Sequence, residues 1–206
     1  MRAAVCAAYG PPEVVRVDEI PSPAVEPGHV RVRVHAAALN FPDVLMVANQ
    51  YQLTVPTPFV PGSELAGQVV EVAGDVTQVS VGDRVFGSTM VGAFAEEAVV
   101  LATSLTPIPP GVDVDHAAAF GVAHRTAYHV LRSVACLQPG EELVVLGAGG
   151  GVGLAAVQLG VELEATVTAV ASSPAKLEVA KAAGKATKNL DDKIYEIEDE
   201  LRLAGE

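Results

Sequence analysis

Between Leu143 and Gly153 the chain reads Leu-Val-Val-Leu-Gly-Ala-Gly-Gly-Gly-Val-Gly. Four apolar residues predict a short buried strand, and five glycines in the next seven positions end it. The helix-compatible segment Leu154 to Leu163 follows at once. A strand, a glycine turn and a helix N-terminus can hold a phosphate. The turn lets backbone approach the anion without Cβ clashes, and the first N–H groups of the helix point at it. The spacing is not G-x-G-x-x-G, because the third glycine of that pattern would fall on Val152 or on Leu154. The register that fits is G-x-x-G-x-x-G on Gly147, Gly150 and Gly153. Such a turn serves either dinucleotide binding or a plain strand-to-helix connection, and its flanking elements favour the first.

The segment after the next strand decides which dinucleotide. Enzymes that use NAD often place an acid about 20 residues past the first glycines, on the ribose 2′-hydroxyl. Here the segment is Ala171-Ser-Ser-Pro-Ala-Lys176, and the next acid is Glu178. A hydroxyl at Ser172 and a cation at Lys176 suit a 2′-phosphate, so NADPH is expected over NADH. The plain alternative for Lys176 is a solvated helix lysine. The five histidines, His29, His35, His116, His124 and His129, show no compact ligand spacing, and neither cysteine lies in a CxxC. No metal is expected. There is no G-x-S-x-G elbow to suggest a hydrolase.

These residues need elements to position them. Met1 to Ala102 reads as all-β. Val30 to Val34 alternates with period two, and further short strands are expected at Gln68 to Val72, Val81 to Phe86 and Ala98 to Leu101. Past the proline-rich break at Pro107 to Gly111, Asp115 to Leu131 reads as one alanine-rich helix, with Asp113 or Asp115 as its cap. Thr166 to Ala171 is a second strand, so residues 143 to 171 form a β-α-β unit, and a helix begins near Pro174. In the tail, Leu190, Ile194, Ile197 and Leu201 make one apolar stripe, which suits a helix packed on its own protein or pairing two chains.

Composition excludes some partners. The chain has 206 residues with 13 basic and 25 acidic side chains, a net charge of -12 that disfavours nucleic acid and anionic membrane. The uncharged run Leu143 to Val161 is no membrane helix, because five of its glycines sit in one turn. Cys6 and Cys136 suggest free thiols and a cytoplasmic location.

The sequence resembles the zinc-independent quinone oxidoreductases, the zeta-crystallin-like branch of the medium-chain dehydrogenase/reductase superfamily. The likeness rests on Met1-Arg-Ala-Ala-Val5, Tyr9-Gly-Pro-Pro-Glu-Val14, Ala38-Leu-Asn-Phe-Pro-Asp43, Pro61-Gly-Ser-Glu-Leu-Ala-Gly67, Val81-Gly-Asp-Arg-Val85, Thr126-Ala-Tyr128 and the glycine loop. It implies an α/β protein with an N-terminal all-β domain: a GroES-like barrel over residues 1–125, a partial Rossmann β-α-β unit over 126–184, and a helical tail, 185–206, that departs from the family. It implies NADPH-dependent hydride transfer to a small electrophile such as a quinone or an activated C=C or carbonyl group. Asn40 would lie near the nicotinamide and Tyr51 in the substrate cleft, although Tyr51 can equally be a loop aromatic capping the barrel. Thr126, Gly150, Gly151 and Val152 would contact ribose or pyrophosphate, within the loop Gly147 to Gly153, and Ser172 and Lys176 the 2′-phosphate. Zinc-dependent relatives carry Cys and His where this chain has Asn40 and Ser63, which again implies no zinc.

The family's second Rossmann half has no counterpart here, so the β-α-β unit is expected to have an open edge and face that invite homo-oligomers, through that edge or the tail helix. Glu164 stands at a helix end where relatives usually have glycine, and Gly160 lies inside the expected helix. Two other functions stay open: a non-catalytic truncated or engineered fragment that keeps the fold, and an enoyl-thioester reductase, although no basic run is visible for its carrier.

Overall fold

The computed structural model describes residues 1–185, and the stripe from Leu190 to Leu201 lies outside them. The chain divides into two compact units, Met1–Val122 and Ala123 onward.

The first unit is built on antiparallel sheet. Strands β1 (Arg2–Cys6) and β2 (Val15–Glu19) pair with each other. Strands β3 (His29–Ala38), β4 (Glu64–Val72), β5 (Arg84–Ser88), β6 (Glu97–Leu101) and β7 (Leu105–Pro107) form one sheet in the order β6-β3-β4-β5-β7. The period-two expectation holds in β3, where Val30 and Val32 are fully buried between the less buried Arg31 and Arg33. They pack with Leu65, Val69, Val85 and Val100 into an aliphatic core.

The all-β expectation for residues 1–102 fails at two places, a short 3-10 turn at Pro12–Val14 and a full helix. Helix α1 (Phe41–Val47) interrupts the strands. Asn40 is its N-cap, Pro42 sits in its first turn and Asp43 at N3, a local start signal that overrides the β character around it. The single helix expected over Asp115 to Leu131 is also three pieces: α2 (Val114–Ala118), α3 (Gly121–Tyr128) and a π-helical segment, His129–Val134. The break falls at Phe120, whose ring meets Phe86 edge-on at 6.0 Å.

The second unit contains the expected β-α-β. Strands β8 (Glu142–Leu146) and β9 (Thr166–Val170) pair in parallel, with Val145 opposite Ala169. Helix α4 (Gly151–Glu162) joins them, and α5 (Pro174–Lys185) follows. Val145, Val157, Val161, Val167, Ala169 and Ala180 form the core on one face of the sheet. The buried-strand expectation for Leu143 to Leu146 is corrected here, since Val144 is 58% and Leu146 73% exposed. Both helices pack on the Val145 face, and the alternate residues of β8 point away from it.

Helix α4 starts at Gly151, three residues before the expected Leu154. It closes on a Schellman motif. Glu164 N–H donates to the Val161 carbonyl at 2.9 Å and Ala165 N–H to that of Gly160 at 3.0 Å. Glu164 takes φ 62°, the left-handed conformation its glycine-like position requires. Gly160 is explained by packing, because a Cβ there would lie 2.6 Å from Leu143 Cδ2 and 2.9 Å from Val167 Cγ2.

Candidate functional site

The five glycines of the loop have different reasons to be glycine. Gly147 has φ 68°, open to glycine at little cost, and turns the chain out of β8. Gly153 lies in the first turn of α4, where a Cβ would overlap the Gly147 carbonyl oxygen and come within 2.8 Å of Ala148 Cα. It sets the close approach of helix to strand. At Gly149 a Cβ would meet the Lys176 side chain at 2.7 Å. Gly150 and Gly151 are different. A Cβ at Gly150 would touch only the Gly147 carbonyl oxygen, at 3.5 Å, and one at Gly151 only Ala123, at 3.9 Å. The fold has room for a Cβ at both, and both are exposed. Their bareness leaves backbone open to a ligand.

Gly150 is the N-cap of α4, and no side chain caps that end. The N–H groups of Gly151, Val152 and Gly153 come before the first intrahelical bond, Leu154 N–H to the Gly150 carbonyl at 2.8 Å. The loop is held rigid by Gly150 N–H on the Gly147 carbonyl at 3.0 Å and Ala148 N–H on that of Val170 at 2.9 Å. Bare glycines, uncapped N–H groups and the positive end of a twelve-residue helix fit a pyrophosphate.

Ser172 and Lys176 lie together beside this loop. Lys176 Nζ donates to Ser172 Oγ at 3.0 Å, and the aliphatic stem of Lys176 lies over Gly149. An exposed hydroxyl and an exposed ammonium are thus gathered at the end of β9. Thr126 lies exposed in α3.

In the first unit, Asn40 is held between two buried carboxylates. Asp43, 2% exposed, accepts the Asn40 backbone N–H at 2.7 Å. The Asn40 side chain lies against the Asp43 backbone N–H, completing a capping box. Glu64, 1% exposed, accepts from Asn40 Nδ2 at 3.1 Å through one oxygen and from Val122 N–H at 2.7 Å through the other. Burial pushes the Asp43 carboxyl above the usual carboxylate range, against the opposing bond from Asn40. The strands explain the meeting, since Glu64 stands opposite Ala38 on one side and Ser88 on the other.

Tyr51 lies on the edge of a core cluster and of a cavity. It packs partly buried against Met46, Val47 and Phe59, and it also lines a cavity of about 520 Å³ with Pro42, Met46, Ser63, Thr89 and Val122. Mixed apolar and hydroxyl lining suits a small electrophile. Among the described residues no cluster of three or more His, Cys, Asp or Glu side chains is arranged for a metal ion. Likewise no described helix is long and apolar enough to cross a membrane.

Asp43 and Glu64 are the residues that sequence reasoning passes over. Asp43 is visible as the third residue after a capping asparagine, with a proline between them. Glu64 is visible as a lone acid entering an apolar strand, but nothing local names its partners.

Comparison with known proteins adds the following. Residues 26–110 match the alcohol dehydrogenase GroES-like domain. The chain is 38% identical to a quinone oxidoreductase-like protein 2 homolog of Nematostella vectensis, over 96% of this chain and 56% of that protein. It is 43% identical to the polyketide synthase GfsB of Streptomyces halstedii, over 78% of this chain and 3% of that protein. The structure of a quinone oxidoreductase from Thermus thermophilus, solved also with NADPH, superposes with a TM-score of 0.79 at 36% identity, covering 88% of this chain and 57% of that one. The chain spans about half the length of the curated quinone oxidoreductase relatives it matches.

Proposed function

This chain belongs to the quinone oxidoreductase-like proteins of the medium-chain dehydrogenase/reductase superfamily, and from that premise we propose that it serves NADPH-dependent reduction of a small electrophile, such as a quinone or an activated C=C or carbonyl group. The observation that carries the reading is the pair Gly150 and Gly151, bare of side chains where the fold would accept a Cβ. Bound NADPH would supply the hydride, and the chain's residues bind and orient. Gly147 to Gly153 would hold the pyrophosphate, with Val152 and Gly153 offering N–H groups and Thr126 at the ribose. Ser172 and Lys176 would take the 2′-phosphate, which is the reason to prefer NADPH over NADH. Asn40 would orient the nicotinamide end and Tyr51 the electrophile. Asn40 and Ser63 are poor zinc ligands, which supports zinc-independent chemistry. A cytoplasmic enzyme that pairs through its open sheet edge completes this reading.

Titration with NADPH and with NADH, followed by nicotinamide fluorescence, tests it. Saturable NADPH binding, weakened more than NADH binding by Lys176→Ala, is the expected result. No binding at millimolar NADPH would sink the reading, and an equal loss for both cofactors would remove the 2′-phosphate role.

A second reading, an enoyl-thioester reductase, is favoured by the 43% identity to a polyketide synthase. Turnover of an enoyl thioester but not of a simple quinone would select it. Binding without turnover of either would leave the chain a non-catalytic fragment.

A further inference from the structure

The Asn40 carboxamide is engaged at both ends, its oxygen by the Asp43 backbone N–H of the capping box and its nitrogen by two acceptors. Its Nδ2 faces a Glu64 oxygen at 3.1 Å, and the Ala38 carbonyl lies on the same nitrogen at 3.5 Å. Both neighbours accept hydrogen bonds, and neither a carboxylate nor a carbonyl donates. The group turned toward them must therefore be the amide NH2, and the carbonyl oxygen points the other way, one lone pair on the Asp43 backbone N–H and the second left for a ligand. Glu64 cannot rotate away to release it. It is 1% exposed, and its second oxygen holds Val122 N–H at 2.7 Å at the start of α3. Turning the amide over would set its oxygen against the buried carboxylate and leave a buried acceptor unpaired.

We propose that Glu64 is a positioning residue that locks Asn40 as a hydrogen-bond acceptor, so that Asn40 recognises a donor, a hydroxyl or carboxamide N–H of the cofactor, and does not polarise a substrate carbonyl. The proposal rests on the reading above that places Asn40 at the cofactor. It assigns the polarity of that contact and makes Glu64, 24 positions away in sequence, responsible for it. Any group that activates the substrate's carbonyl oxygen must then come from elsewhere in the cavity, whose lining carries the hydroxyls of Tyr51, Ser63 and Thr89.

A reciprocal exchange tests it. Asn40→Asp alone sets a carboxylate against Glu64. Glu64→Gln alone turns an NH2 group either on the Asn40 NH2 or on Val122 N–H. Each single change should weaken NADPH binding about tenfold or more and lower the melting temperature. The pair Asn40→Asp with Glu64→Gln keeps the net charge and rebuilds the contact with its polarity reversed. Gln Nε2 can donate to the new carboxylate while Gln Oε1 accepts from Val122. The ligand still meets an acceptor at position 40, so the double variant should recover the melting temperature and bind NADPH within about threefold of the unaltered chain.

Recovery of stability without recovery of binding would overturn the proposal, because position 40 would then be needed as a donor. Recovery of neither would also overturn it, since Glu64 would not be the partner that matters. Asn40→Ala binding NADPH as tightly as the unaltered chain would overturn both this proposal and the placement of Asn40 at the cofactor. Loss in Asn40→Ala with failure of the exchange would leave that placement standing and remove only the proposal.

Discussion

Two glycines on one loop, Gly150 and Gly153, do opposite work. Gly153 is required by the protein itself, since any Cβ would strike the backbone of Gly147 and Ala148, which cannot swing aside. Gly150 is required by nothing in the chain, and its extended backbone, φ -93° and ψ 166°, is open to any residue. Substitution separates the two roles. Gly153→Ala should lower stability by about 1–3 kcal/mol, the usual range for an overpacked site, read as a fall in melting temperature. Gly150→Val should leave the melting temperature close to that of the parent and weaken NADPH binding at least tenfold, about 1.4 kcal/mol. Unchanged affinity in Gly150→Val would show that the loop is only a connection. Spacing alone cannot separate these glycines, because sequence records a missing side chain but not what it would have met.

Helix ends carry the next set of consequences. The Schellman turn after α4 places Glu164 at φ 62°, where an L side chain crowds its own carbonyl. Glu164→Gly should therefore raise stability by about 1 kcal/mol, checked by thermal unfolding. A fall would mean that the glutamate side chain makes a contact outweighing the strain. In the first unit, α1 begins on Asn40 and buries Asp43. Burial raises the Asp43 pKa in the folded state, so between its ordinary and folded values the folded chain binds more protons than the unfolded one. The Asp43 contribution is thus fully present below the ordinary aspartate value and is lost as the pH rises through the folded value. Asp43→Asn does not titrate. Its melting temperature should gain on the parent's as the pH is raised through that window, and a constant difference would show that Asp43 ionises normally. The start of α1 is legible in Asn40, Pro42 and Asp43. It does not stand out because the surrounding residues have strand character, and a seven-residue helix gives too little periodicity.

At the scale of the whole molecule, the two units differ in how completely they cover their sheets. The five-stranded sheet of the first unit has a full aliphatic core. The two-stranded parallel sheet of the second is covered by α4 and α5 on one face, with Val144 and Leu146 open on the other. Parallel sheets are ordinarily covered on both faces. Among the described residues β8 and β9 pair only with each other, and exposed branched residues beside such edges favour association. Sedimentation velocity at rising concentration should show the chain associating, and Leu146→Lys should reduce that association with little change in melting temperature. A chain that stays monomeric at all concentrations would refute this expectation.

Local pattern determined a good deal on its own. Period-two alternation marked β3, glycine and proline punctuation marked the turns, and the run from Leu143 to Leu163 carried strand, turn and helix in that order. Each is a short-range property, set by backbone conformations and side-chain spacing within a few residues. Tertiary structure alone decided which residues meet. Strand register set Glu64 beside Ala38 and brought it within reach of Asn40 and Val122. The packing of α5 on the β-α-β unit laid Lys176 over Gly149. The placing of both helices on one face of the sheet left Leu146 in solvent, although its composition reads as core. Burial and partnership depend on what arrives from distant parts of the chain, and an apolar or charged residue carries no local record of that.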